Sequence, residues 1–163
     1  MYDSNINPYL VRALEHTVGM MRDHLSQFSP SEFDLRPDPE RFSLREVICH
    51  LADWEPIMLA RMKVGVDTTG GAIQAFDEGQ MAIDHDYASK DPMIVISDWE
   101  ASRDKTIAFV EALSEEQMAN EVVHPERGRM TVSDIANMIV CHDIYHLEQV
   151  ASMRKHPKVV DTW

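Results

Sequence analysis

From Thr131 to Lys155 the chain keeps one helical seam, and no other feature restricts its fold as much. Ile135, Ile139, His142, His146, Gln149 and Met153 follow at spacings of four, three, four, three and four, the pattern of a helix face packed inward. Asp134, three residues after Thr131, gives a capping-box-like start, and Pro157 marks the stop. Two histidines stand where a packed helix normally carries Leu or Ile. Such a face needs partner helices to cover it, so the segment predicts a helical bundle.

Three more helices answer that need. The first is predicted to open at Asn7-Pro8, an N-cap followed by proline in the first turn. Its stripe is Leu10, Leu14, Val18, Met21, Leu25 and Phe28, and Ser29-Pro30 ends it. The second starts at Ser43, which with Glu46 has capping-box spacing. Val47, Leu51, Trp54 and Met58 form its face; Pro56 is expected to kink or shorten it, with the end near Arg61 or Lys63. The third is expected over Met93–Leu113, with Arg103 on the apolar stripe between Trp99 and Ile107. Prolines at 30, 37 and 39 make the first connection a loop. Residues 64–92 form a long irregular connection, with at most a short helix near Ala75–Ile83, and read either as a lid over a site or as a plain crossover. Regularity breaks again at 120–130, around Pro125 and Gly128.

Composition narrows the partners. With 28 acidic against 15 basic residues the formal charge is −13, which excludes the clustered cations that hold a nucleic-acid backbone. No apolar run is long enough for a bilayer, and MYDSNINPYL lacks the marks of a signal peptide. Two cysteines, Cys49 and Cys141, make no disulfide framework, so a cytoplasmic location is expected, with both read as small core residues. A chain of 163 residues suits one buried core, hence a single domain over 1–163.

The chemistry concentrates on histidine. His142 and His146 are one helical turn apart on the seam, so two neutral imidazoles can converge on one metal ion. His50, three after Val47 and four before Trp54, points to the core side of the second helix. A shared metal satisfies all three buried polar groups at once; separate hydrogen-bonded core histidines are the plainer alternative.

At FSLREVICHLADWE (42–55) and HPERGRMTVSDIANMIVCHDIYHLEQV (124–150), with FDEGQMAIDHDY (76–87) and Arg103 between them, the chain resembles the DinB/YfiT-like metalloenzyme family. The resemblance covers nearly the whole chain. It implies an all-α four-helix bundle of up-down-down-up topology, with a long irregular connection between the second and third helices. It also implies that His50, His142 and His146 bind one divalent ion, nickel or zinc first and iron, manganese or cobalt after them. Characterised members include S-transferases and a maleylpyruvate isomerase that use bacillithiol, mycothiol or glutathione. The resemblance therefore implies a small-molecule substrate with a low-molecular-weight thiol as cosubstrate, and relatives that commonly form homodimers.

Neighbouring residues extend the candidate site. Asp143 is a candidate base or imidazole partner, although its place about 100° around the helix from His142 also suits a solvated acid. Arg103 is a candidate for a substrate carboxylate or for an internal ion pair. Tyr145 and Trp54 are candidate pocket walls, or ordinary packing. Asp53 and Glu148 are candidate partners of ligand imidazoles, with surface placement the alternative. His85 is a candidate at the site mouth, and His124 is assigned to its turn. Beside thiol transfer stand two alternatives. One is a metal-dependent hydrolase, since His142-Asp143-Ile144-Tyr145-His146 resembles H-E-x-x-H with Asp for Glu. The other is a non-catalytic metal-binding bundle. Ferritin-like di-iron chemistry needs repeated E-x-x-H pairs, and Glu121 to His124 is the lone match, running into Pro125.

Overall fold

The computed structural model describes residues 8–155, so the expected N-cap Asn7 and stop Pro157 lie outside the described residues. Four long helices carry the architecture: α1 (Pro8–Leu25), α2 (Leu44–Asp67), α4 (Pro92–Glu111) and α6 (Val132–Lys155). Shorter elements connect them: α3 (Glu78–Asp84), α5 (Glu115–Ala119), and strands β1 (Gly71–Ala72), β2 (Glu121–His124) and β3 (Gly128–Thr131).

Cross-helix contacts fix the directions. Arg22, late in α1, reaches Glu100 near the start of α4, while Arg103 further along reaches back to Leu14 and Thr17; α1 and α4 are antiparallel. Arg45 meets Lys90 just before α4, Glu55 meets Arg103, and Lys63 lies over Phe109; α2 and α4 are parallel. Gln149 reaches Phe42, His142 meets His50, and Val132 packs on Gly65; α2 and α6 are antiparallel. The bundle is therefore up-down-down-up, as the resemblance implies.

Local chemistry explains the helix starts. The Ser43 side chain accepts from the Glu46 amide while Glu46 accepts from the Ser43 amide, satisfying two donors that a helix end leaves open. Thr131 and Asp134 make the same exchange before α6. The expected end of α2 near Arg61 or Lys63 is corrected: the helix runs through Pro56 to Asp67. Pro56 removes one helical hydrogen bond, but Met58, Leu59 and Met62 are buried along the continuing face, and that packing carries the helix on.

The irregular stretches hold a small sheet that the sequence pattern does not announce. β2 pairs antiparallel with β3, and β1 adds to β2 in parallel, Gly71 opposite Val122. The sheet packs where α2 ends and α6 begins. A Cβ on Gly65 would stand 2.7 Å from a Val132 methyl and 3.0 Å from a Val122 methyl, so the close approach requires glycine. In the 64–92 connection α3 covers Glu78–Asp84 rather than Ala75–Ile83, opening at Asp77, whose side chain accepts from the Gln80 amide. No helix among the described residues is long and apolar enough to cross a membrane.

Every described member of the α1 stripe is buried, as are Ile135, Ile139 and Met153. The core forms two apolar clusters. One gathers Leu10, Leu14, Met58, Met62, Val110 and Ile135; the other gathers Val18, Met21, Leu25, Val47, Ile96 and Val150. Between them, at mid-height, runs a polar layer.

Candidate metal centre

Each long helix places one residue in the inner part of that layer: Thr17, Glu55, Arg103 and Asp143, all at most 4% exposed. Arg103 Nη2 donates to Glu55 Oε2 at 2.6 Å, and Nη1 donates to Asp143 Oδ2 and to Thr17 Oγ1, both at 2.8 Å. The Thr17 hydroxyl donates onward to Asp143, and Trp99 Nε1 donates to Glu55. Burial works against the Arg103 charge, but Asp143 and Glu55 outweigh it and hold its pKa above the ordinary value. Burial pushes the Asp143 carboxyl up, opposed by Arg103 and Thr17.

The outer part of the layer is the histidine cluster. Antiparallel packing sets His50 of α2 against the turn of α6 that bears His142 and His146. His50 Nε2 lies 2.9 Å and His146 Nε2 3.2 Å from His142 Nε2, and all three atoms fall within 4.8 Å of one another. With metal–nitrogen bonds of about 2.0–2.1 Å, neighbouring ligands sit about 3.0 to 3.4 Å apart in octahedral or tetrahedral sites. The spacing thus suits a shared ion.

Proton positions agree. The Gln149 amide donates to the Phe42 carbonyl, which turns its oxygen toward His146 Nδ1 at 2.9 Å. His146 therefore carries its hydrogen on Nδ1 and directs a lone pair from Nε2 into the cluster. His50 Nδ1 is buried without a hydrogen-bond partner. Burial, then the neighbouring histidines, drive the His50 pKa down to about 2. Burial and His146 lower His142 to about 4; burial lowers His146 to about 4, Gln149 opposing and Arg41 assisting. All three rings are neutral near pH 7, the form that binds metal.

Two cavities adjoin the cluster. One of about 310 Å³ is walled by Trp54, Phe76 and Arg61, and the other, about 390 Å³, by Arg41, Tyr145 and His146. His142 and Glu78 line both.

The structure brings His50, His142 and His146 together and sorts their neighbours. Asp143 is 2% exposed, which corrects its reading as a solvated acid: α6 is covered by α1 as well as α2, so its buried arc is wider than the histidine seam. Arg103 is the internal ion pair, with Glu55 and Asp143, and lines neither cavity. Tyr145 is half-exposed, set edge-on to His146, its hydroxyl held by Arg41. Trp54 is buried against His50 and His142. Asp53 accepts from His85 and Tyr87 instead of bonding a cluster histidine, and His85 lines neither cavity. Glu148 is exposed and pairs with Ser152. His124 accepts two turn amides at Nδ1, as assigned. Cys49 is buried, but Cys141 is exposed, a correction: it lies one residue off the seam, on the side facing the first cavity.

Sequence reasoning missed Thr17, Glu55, Arg61 and Glu78. Glu55 left a signal, because Ile48, Leu51, Glu55, Leu59 and Met62 form a second helical seam with one carboxylate in it.

Comparison with known proteins agrees with this architecture. The sequence profile of the DinB superfamily matches residues 13–150. The chain is 23% identical over 145 residues to the protein named "Putative metal-dependent hydrolase OB0782" of Oceanobacillus iheyensis, covering 89% of this chain and 84% of that one. It is 19% identical over 146 residues to "Putative metal-dependent hydrolase YfiT" of Bacillus subtilis, covering 89% and 82%. The solved structure of YfiT from Bacillus subtilis superposes with a TM-score of 0.86 at 19% identity, over 91% of this chain and 86% of that one. It is described as "a probable metal-dependent hydrolase with an unusual four-helix bundle topology". At that identity the likeness establishes the shared fold.

Proposed function

The chain belongs to the DinB superfamily, and on that premise we propose that it is a metal-dependent hydrolase of small molecules whose ion is held by His50, His142 and His146. One observation carries the reading: three imidazole Nε2 atoms from two helices meet at 2.9 and 3.2 Å. The names of the relatives support hydrolysis, the alternative raised by the H-E-x-x-H comparison, over the expected thiol transfer; Asp143, which stands in place of that Glu, faces Arg103 and lines neither cavity.

A divalent ion bound there would supply Lewis acidity and lower the pKa of a coordinated water. The chain's own residues supply the rest. Gln149 fixes the His146 tautomer so that its lone pair faces the cluster. Arg103, Asp143 and Thr17 are positioning residues, holding the turn of α6 next to His142 from behind. Glu78, at the start of α3, is the carboxylate common to both cavities. Partial desolvation at the cavity rim raises its pKa, against the pull of Arg127, and we assign its carboxylate the role of proton acceptor from water. Tyr145, its hydroxyl steadied by Arg41, lines the second cavity, which supports a contact with substrate there.

The test is hydrolysis of a panel of p-nitrophenyl esters and phosphoesters, lactones and anilides by protein loaded with zinc, nickel or manganese. Activity should vanish on chelation and return with the ion. Glu78→Gln should lower kcat by about 100-fold or more while metal content stays unchanged. Equal rates with and without the ion would contradict the assignment.

A further inference from the structure

The two buried arginines are treated differently by the fold. Arg103 has two carboxylates; Arg61, 6% exposed, has none within ion-pair distance among the described residues. Arg61 Nη2 donates to the Gln74 carbonyl at 2.7 Å and Nη1 lies 3.7 Å from the Met58 sulfur, while Nε is buried without a partner, as it is in Arg103. Its guanidinium sits over the rings of Trp54 and Phe76, at 5.0 and 5.9 Å from their centroids. Burial and the like charge of Arg127 both lower its pKa, so the cation is held against two opposing effects. A desolvated guanidinium without a counterion is costly, and its planar fork matches an oxyanion.

Arg61 lines the cavity that reaches His142, and two further donors border it. His124 accepts the Glu126 and Arg127 amides at Nδ1, so its hydrogen resides on Nε2 and is left for the cavity. Arg127 is exposed at the hairpin, and its charge is felt by Glu78. Glu78 and Glu126 border the cavity from exposed positions, which disfavours a second negative charge on the ligand. Trp54, Phe76, Met58 and Met138 provide an apolar wall.

We infer that this cavity of about 310 Å³ takes a substrate with one carboxylate and a small apolar body, the carboxylate received by Arg61 and the His124 Nε2–H. The inference rests on the hydrolase reading for the word substrate, and the binding site itself does not need the ion.

The experiment is a titration of the metal-free full chain with benzoate, benzamide and phenyl phosphate. It is followed by calorimetry and by the indole N–H signal of Trp54, assigned with Trp54→Phe. Benzoate should bind saturably and move the Trp54 signal, with benzamide at least tenfold weaker. Arg61→Gln should lose tenfold or more in benzoate affinity, and Arg61→Lys should recover part of it. The wild-type comparison of benzoate with benzamide stands even where a variant fails to fold. Equal binding of the two, unchanged affinity in folded Arg61→Gln, or phenyl phosphate tenfold tighter than benzoate would overturn the inference. Carboxylate selectivity without metal-dependent hydrolysis would sink the hydrolase reading alone, and the converse would sink this inference alone.

Discussion

The inner and outer halves of the polar layer sit side by side at one height of the bundle, yet they are held by opposite means. Around Arg103, cation and carboxylates meet within the chain: Glu55 and Asp143 flank one guanidinium, Thr17 and Trp99 add hydrogen bonds, and only Glu55 Oε1 and Arg103 Nε of this group stay buried without a partner. Around His142, three imidazole nitrogens meet, and no charged side chain among the described residues is hydrogen-bonded to them. The first arrangement answers its cation with carboxylates of the chain itself. The second brings together three imidazoles with no charged partner, the arrangement that the proposed ion would fill.

The comparison breaks first under acid. The three histidines have folded-state pKa values of about 2, 4 and 4 against an ordinary 6.5. Below 6.5 the unfolded chain gains protons that the folded metal-free chain does not, so stability falls as pH drops from 6.5 toward 4. The loss is on the order of 5 kcal/mol in all by pH 5. Urea titrations of the metal-free protein across that range should show it, and saturating zinc should raise stability throughout the range. A flat profile would mean that the cluster is hydrated rather than buried.

The Arg103 half should be the more fragile to mutation. Arg103→Met leaves two carboxylates buried without their cation and is expected to cost about 3–5 kcal/mol, read from the urea midpoint. His146→Leu in metal-free protein removes no charge and should cost no more than about 1 kcal/mol. Gln149→Leu frees the His146 tautomer and should weaken metal binding by about 10–100-fold, measured by competition with a chromophoric chelator. Smallest is Thr17→Val, which removes a hydroxyl that donates to Asp143 and accepts from Arg103. About 1 kcal/mol of stability should be lost, with metal affinity changed less than twofold; a larger change would show the two halves to be coupled.

The two halves were not equally legible in the sequence. Helix stripes such as Leu10 to Phe28 repeat within one segment, so they can be read locally, and so can the capping boxes at Ser43 and Thr131. His142 and His146 share a seam and are readable for the same reason. The partners of Arg103 come from three other helices, and linear spacing carries no information about which helices touch. Asp143 illustrates the limit: 100° from the seam suggests solvent for a helix covered on one side, and α6 is covered on two. Strands of two to four residues, as in β1 to β3, are too short for an alternating pattern to register. The passage of α2 through Pro56 depends on the burial of Met58, Leu59 and Met62, a tertiary effect that overrides the local cost of proline.

The most direct measurement of the central claim is the metal content of tag-free protein by elemental analysis, wild type beside His142→Ala/His146→Ala. Close to one divalent ion per wild-type chain and none in the folded variant is the predicted result. Equal metal content in the two proteins, or none in wild type after exposure to zinc, nickel and manganese, would contradict the assignment of His50, His142 and His146 as its ligands.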